Sequence, residues 1–152
     1  MTFTACVQSV AAILLAGAAS AQTVPAGWKV VTDRQKLCQV AVPADWTPDS
    51  LVKSFVVSPD KKSTVVVHGL AAGTDYKTMT DTSKKLMPPV KIFAETATKL
   101  WYEEPPTPGK NRTSWYFAIG GAQVCNAEVQ FEGAGMEDTA KKIVASLGPA
   151  AK

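Results

Sequence analysis

The sequence predicts an α+β domain in which an antiparallel sheet of hairpins is covered by two helices. Three observations carry that expectation. Short runs with period-two alternation recur between turn signals. The last third of the chain holds an apolar stripe at helical spacing, Met136, Ala140, Ile143, Val144 and Leu147. Cys38 and Cys125 each fall on the apolar face of an alternating run, as an inward-facing pair would.

The chain opens on a segment set apart from the rest. Residues 1–21 carry no charged side chain, hold an apolar run over 10–19 and close on Ala19, Ser20 and Ala21. That small-residue ending is the pattern a signal peptidase reads. The run is too short to span a bilayer, which needs roughly twenty apolar residues. The expectation is a signal peptide over 1–21 and one α+β domain over 22–152. No cysteine stands at the cleavage point, so the product is expected free in the periplasm or the medium. Cleavage removes Cys6 and leaves two thiols in an oxidising compartment, which predicts one Cys38–Cys125 disulfide.

Residues 28–33 read as a strand turning at Asp33, and 36–43 as its partner, with Cys38, Val40 and Val42 on one face. Pro43 to Pro48 stops that run. Strands over 55–58 and 63–69 flank Pro59, Asp60, Lys61 and Lys62, where proline presets a turn and aspartate can bond its own backbone. A helix follows over 75–87, capped by Thr74 or Asp75, with Tyr76, Met79, Ser83 and Leu86 as its apolar stripe and Pro88-Pro89 as its stop. Residues 92–104 read as one long strand paired with 113–119 across a proline-rich connection. Gly120-Gly121 leads into a strand over 123–131, with Cys125, Ala127, Val129 and Phe131 on one face. In the final helix Glu137 and Asp138 occupy the first turn, where they favour the dipole, and Gly148-Pro149 ends it.

Three stretches together resemble the PsbP-like fold family, which includes DcrB-type bacterial envelope proteins. They are Gly27 to Asp33 running into Cys38 to Trp46 with its Pro-x-x-Trp ending, the hairpin from Phe55 to His68, and the closing helix from Glu137 to Leu147. The resemblance implies an antiparallel sheet sandwiched between helices and a non-catalytic accessory or binding role. It carries over no site residues.

The chemistry legible in the residues agrees. The charge is +3, from 16 basic and 13 acidic residues, and the lysine pairs 61–62, 84–85 and 141–142 are spread along the chain rather than gathered in the stripe that nucleic-acid binding uses. His68 is the sole histidine, stands with Thr64 and Val66 on its strand face, and has no acidic residue near it in sequence to orient it as a triad would. No zinc-ligand spacing, phosphate loop or Cys-x-x-Cys pair is present, so no catalytic residue, metal or cofactor is expected. Glu103 and Glu104, as strand neighbours, point to opposite faces and cannot grip one bond together. They read as a solvated strand end facing Lys110 and Arg112.

Trp28, Trp46, Trp101 and Trp115 are the candidate contact aromatics, with Trp101 and Trp115 placed to pair across strands. The functional expectation is an exported monomeric accessory or binding protein with a protein partner in the envelope or outside the cell, no nucleic acid and no membrane span. The alternatives are a small secreted hydrolase and a carbohydrate- or lipid-binding module. A hydrolase would show a cleft with a perturbed titratable group. A sugar binder would show two exposed coplanar aromatics, and a protein-contact module an apolar patch with a polar rim.

Overall fold

The structure, a computed structural model, describes residues 24–51 and 55–151; the expected signal peptide lies outside the described residues. Strands β1 (Trp28–Thr32) and β2 (Cys38–Pro43) form an antiparallel hairpin with Val30 opposite Ala41. The Asp33 carboxylate closes its turn, accepting from the backbone N–H groups of Gln35 (2.9 Å), Leu37 (2.7 Å) and Cys38 (2.6 Å). That aspartate-centred turn is why the chain reverses within a few residues. It packs tightly on its neighbour: a Cβ at Gly69 would lie 2.3 Å from the Leu37 Cβ, so only glycine fits there.

The chain then enters a seven-stranded antiparallel sheet in the order β3-β4-β5-β9-β8-β7-β6. Its strands are β3 (Thr47–Pro48), β4 (Phe55–Val57), β5 (Ser63–Gly69), β6 (Lys91–Glu95), β7 (Lys99–Glu103), β8 (Thr113–Ile119) and β9 (Cys125–Phe131). Helix α1 (Tyr76–Leu86) connects β5 to β6, and α2 (Glu137–Ala145) follows β9 through a 3-10 turn at Ala134–Met136. The architecture is α+β as expected, with one refinement. The first hairpin does not join the large sheet. It forms a separate three-stranded sheet with β10 (Gly148–Pro149), so the residues expected only to stop α2 also pair with β2.

Period-two alternation divides the large sheet into two faces. One face buries Val65, Val67, Trp115, Phe117, Cys125, Ala127, Val129 and Phe131 in a cluster with Cys38, Val40 and Val42 of β2 and Ala140, Ile143 and Val144 of α2. The small sheet and α2 thus cover this face together. The Cys38–Cys125 disulfide ties the two sheets through this core, with Cα atoms 5.8 Å apart. The end of α2 is fixed to β2 by Ser146, whose hydroxyl accepts from the Ala41 N–H and donates to the Ile143 carbonyl, both at 2.7 Å.

The opposite face holds a smaller core of Leu100, Tyr102, Tyr116 and Ala118, on which α1 lays Tyr76 and Met79. Asp75 caps that helix by accepting from the Thr78 N–H at 2.7 Å. Leu86, expected on the inward stripe, is 73% exposed. The buried residue of α1 is Thr80, and at 3.6 residues per turn Leu86 lies about 70° off the stripe formed by Tyr76, Met79, Thr80 and Ser83.

The single strand expected over 92–104 is two strands, β6 and β7. A tight turn between them is closed by the Thr96 N–H on the Lys99 carbonyl at 2.7 Å and by the Thr96 hydroxyl accepting from the Thr98 N–H at 3.3 Å. Threonine hydroxyls supply the turn chemistry that glycine or proline more often marks.

Candidate functional site

The four tryptophans do not act as one surface. Trp46 and Trp115 are 3% and 2% exposed and belong to the main core, which removes them from the candidate contact set; Trp28 and Trp101 are half-buried against it. Hydrophobic burial on a half-covered sheet took these rings inward. Trp101 and Trp115 do meet, at 5.3 Å between centroids, but diagonally, because Trp101 stands opposite Phe117 and Glu103 opposite Trp115. Three pairs pack edge to face, Trp101 with Trp115 at 74°, Phe93 with Trp115 at 66° and Trp115 with Phe131 at 78°, while the half-buried Phe93 and Trp101 lie tilted at 33° with centroids 4.6 Å apart. Coplanar exposed rings, the requirement for sugar stacking, are not what this cluster offers.

Beside the cluster, where β6, β7 and β8 approach the start of α2, lies an open cavity of about 430 Å3. Phe93, Trp115 and Phe131 contribute its apolar wall, and Lys91, Glu103 and Asn111 stand among its polar lining. Glu103 therefore faces the α2 side of the sheet.

Glu104 points the other way, as alternation requires, but it is not the solvated residue expected from the sequence. It is 7% exposed and accepts from the Ser114 hydroxyl at 2.5 Å, while Ser114 also lies 3.3 Å from Glu128 and the Gln130 amide donates to Glu128 at 2.5 Å. Arg112, expected near it, pairs instead with Glu132 at 2.9 Å and donates to the Lys61 carbonyl at 3.0 Å. Burial pushes the Glu104 carboxyl above its ordinary value; the Ser114 hydrogen bond opposes this and the Glu128 charge adds to it. The same burial, with the charge of Glu104 next, raises the Tyr102 phenol.

A carboxyl with a raised value in the fold binds its proton more tightly there than in the unfolded chain. Its contribution to stability is therefore largest below the ordinary value and declines as pH rises through the folded value. Glu104→Gln, which keeps the shape and removes the charge, should flatten the stability profile across that window and leave the protein at least as stable at neutral pH. Urea unfolding across the window checks this, and an equal loss of stability at acid and neutral pH would contradict it.

His68 is exposed at the end of β5 and lines a second hollow, of about 230 Å3, with Asp33 and Arg34. Sequence distance had hidden this meeting with an acidic residue. Asp33 is nevertheless committed elsewhere. Burial alone would raise its carboxyl, but the backbone N–H groups of Cys38, Gln35, Leu37 and Gly69 outweigh that and hold it below the usual range. It serves the β1–β2 turn rather than an imidazole. Among the described residues no group of three or more His, Cys, Asp or Glu side chains is placed to hold a metal ion.

The feature that sequence reading missed is apolar and outward-facing. Where α1 hands over to β6, Leu86 (73%), Met87 (42%), Val90 (59%) and Ile92 (48%) are all exposed within seven residues of chain. Lys84 and Glu95 stand beside them, joined by an ion pair at 2.5 Å. The patch lies beside β6, which is the outermost strand of the large sheet. Among the described residues no helix is long and apolar enough to cross a membrane.

No protein-family model matches the chain, and no curated protein matches it in sequence. Solved structures do align with it. A crystal structure from Bacteroides thetaiotaomicron VPI-5482 is 14% identical with a TM-score of 0.59, over 83% of this chain and 49% of that one, so the chain spans about half the length of that protein. The structural neighbours also include cyanobacterial PsbP (CyanoP) from Synechocystis sp. PCC 6803, 10% identical over 82% of this chain and 94% of that one, with a TM-score of 0.46. LpqN, involved in cell envelope biogenesis of Mycobacterium tuberculosis, is 14% identical over 82% of this chain and 91% of that one, again at 0.46. The molecule is thus an α+β protein of antiparallel sheets and two helices. At these identities the likeness concerns the fold alone.

Proposed function

We propose that this chain is an exported, non-catalytic accessory protein, monomeric on its own, that works by contact with a protein partner in the envelope or outside the cell. The patch formed by Leu86, Met87, Val90 and Ile92 carries the reading. Contiguous exposed apolar side chains with a polar border are costly to leave in water, and in soluble domains they mark interaction surfaces. The inward Cys38–Cys125 disulfide supports an oxidising compartment. The commitment of Asp33 to backbone N–H groups supports a role for His68 outside catalysis.

The test uses the exported protein, whose mature chain should begin near Gln22 by intact mass. Cross-linking in envelope extract, followed by mapping of the linked peptides, should place a protein partner on residues 84–95. Leu86→Asp combined with Val90→Asp should abolish that product while changing stability by no more than about 0.5 kcal/mol, because both side chains are already solvated. An undiminished product with the double variant would overturn the assignment of the contact site.

A further inference from the structure

We propose that the cavity beside Trp115 binds a zwitterionic ligand with an apolar side chain, a free amino acid or a short peptide. Lys91 on β6 and Glu103 on β7 stand directly opposite each other in the strand register, and both line this cavity. Opposite charges in that relation ordinarily attract across the strands. Here they stay apart. The ion pairs among the described residues are made by other side chains, and the Lys91 ammonium lies over the Phe93 ring, 5.0 Å from its centroid.

The cavity mouth therefore presents one cation and one anion, neither neutralised by the other. A singly charged ligand answers one of them and leaves the second without a counter-charge; a neutral ligand answers neither. A molecule with both an ammonium and a carboxylate answers both, with Lys91 taking the carboxylate and Glu103 the ammonium. Glu137 also lines the cavity, but Lys141 holds its carboxylate at 2.9 Å, which leaves Glu103 as the acceptor. Phe93, half-buried, supplies the surface against which an apolar side chain loses its water, while Trp115 and Phe131, almost wholly buried, close the cavity's inner side. The volume, about 430 Å3, lies within the range of small-molecule sites.

This site is separate from the apolar patch, and its test does not depend on a protein partner. The exported protein is titrated with L-phenylalanine and with phenylalanyl-glycine, followed by calorimetry and by tryptophan emission. Phenethylamine, phenylacetate and N-acetyl-phenylalanine amide serve as the cationic, anionic and uncharged probes. One of the zwitterions should bind at least about tenfold more tightly than all three. Saturation by phenylalanine identifies an amino-acid site, and saturation by the dipeptide alone a peptide site.

Lys91→Ala should abolish the preference over phenethylamine, and Glu103→Gln the preference over phenylacetate, with circular dichroism unchanged in both. These are surface and half-buried strand positions that the fold can spare. No saturable binding of either zwitterion, equal binding of a singly charged probe, or zwitterion binding untouched by both substitutions would each overturn the proposal.

Discussion

Replacing Cys38 and Cys125 together by alanine should lower the unfolding free energy by up to about 4–5 kcal/mol, the chain-entropy ceiling for a loop closed across 87 residues. Set against a typical total of about 5–15 kcal/mol, this is a large share of the stability of a domain. The position of the bridge sharpens the expectation. Cys38 begins β2 and Cys125 begins β9, and both are fully buried. The bond therefore pins the small sheet to the centre of the large one, a junction otherwise held by side-chain packing. The double variant is the right comparison, since a single replacement leaves a free thiol. Equilibrium unfolding in urea should show a lower midpoint for the variant and for wild type under reductant. A midpoint unchanged in both would mean that the unfolded chain gains little freedom when the bridge is absent.

What the sequence disclosed and what it withheld follow from the range of the interactions. Strand β5 runs over Ser63–Gly69 as expected because its two ends are marked locally, by the Pro59–Lys62 turn and by Gly69. The alternation in β9 placed Cys125, Ala127, Val129 and Phe131 inward, and with Cys38 on the inner face of β2 the pairing could be read without a contact map. The turn at residues 96–98 escaped because it contains neither glycine nor proline and rests on threonine hydroxyls. Glu104 reads as solvated because Glu103, Pro105 and Pro106 around it signal a strand end, although Leu100 and Tyr102 share its face; Ser114 and Glu128, its neighbours on β8 and β9, are ten and twenty-four positions away.

The candidate sites were harder still. The cavity draws Lys91, Glu103, Asn111 and Phe131 from separate segments, and no local pattern joins them. Tryptophan content pointed towards this region, since Trp115 is in its wall, but two of the four rings went to the core. The apolar patch was hidden differently. Helical spacing puts Leu86 on a buried stripe, Pro88-Pro89 marks a helix stop and Ile92 opens a long strand, so three local signals divide these residues between them. Only exposure, which is a property of the fold, reunites them.

The final helix was the most legible element, and it supplies the other large effect. Ile143→Ala should destabilise the protein by about 2–5 kcal/mol, the usual cost of removing a fully buried aliphatic side chain and leaving a cavity. Ile143 is 0% exposed and sits in the same cluster as Val40 and Val42 of β2 and Ala127 and Val129 of β9, at the point where helix, small sheet and large sheet converge. The site has little room to collapse. Ser146 fixes the helix end to Ala41 through its hydroxyl, and the disulfide fixes β2 to β9, so neither neighbour can move in to fill the space. The upper half of the range is therefore expected. Lys142→Ala, on the exposed side of the same helix, is the control and should fall within about 0.5 kcal/mol of wild type. A loss for Ile143→Ala no larger than the control's would mean that α2 is not held by this core and that its apolar stripe is available to a partner instead.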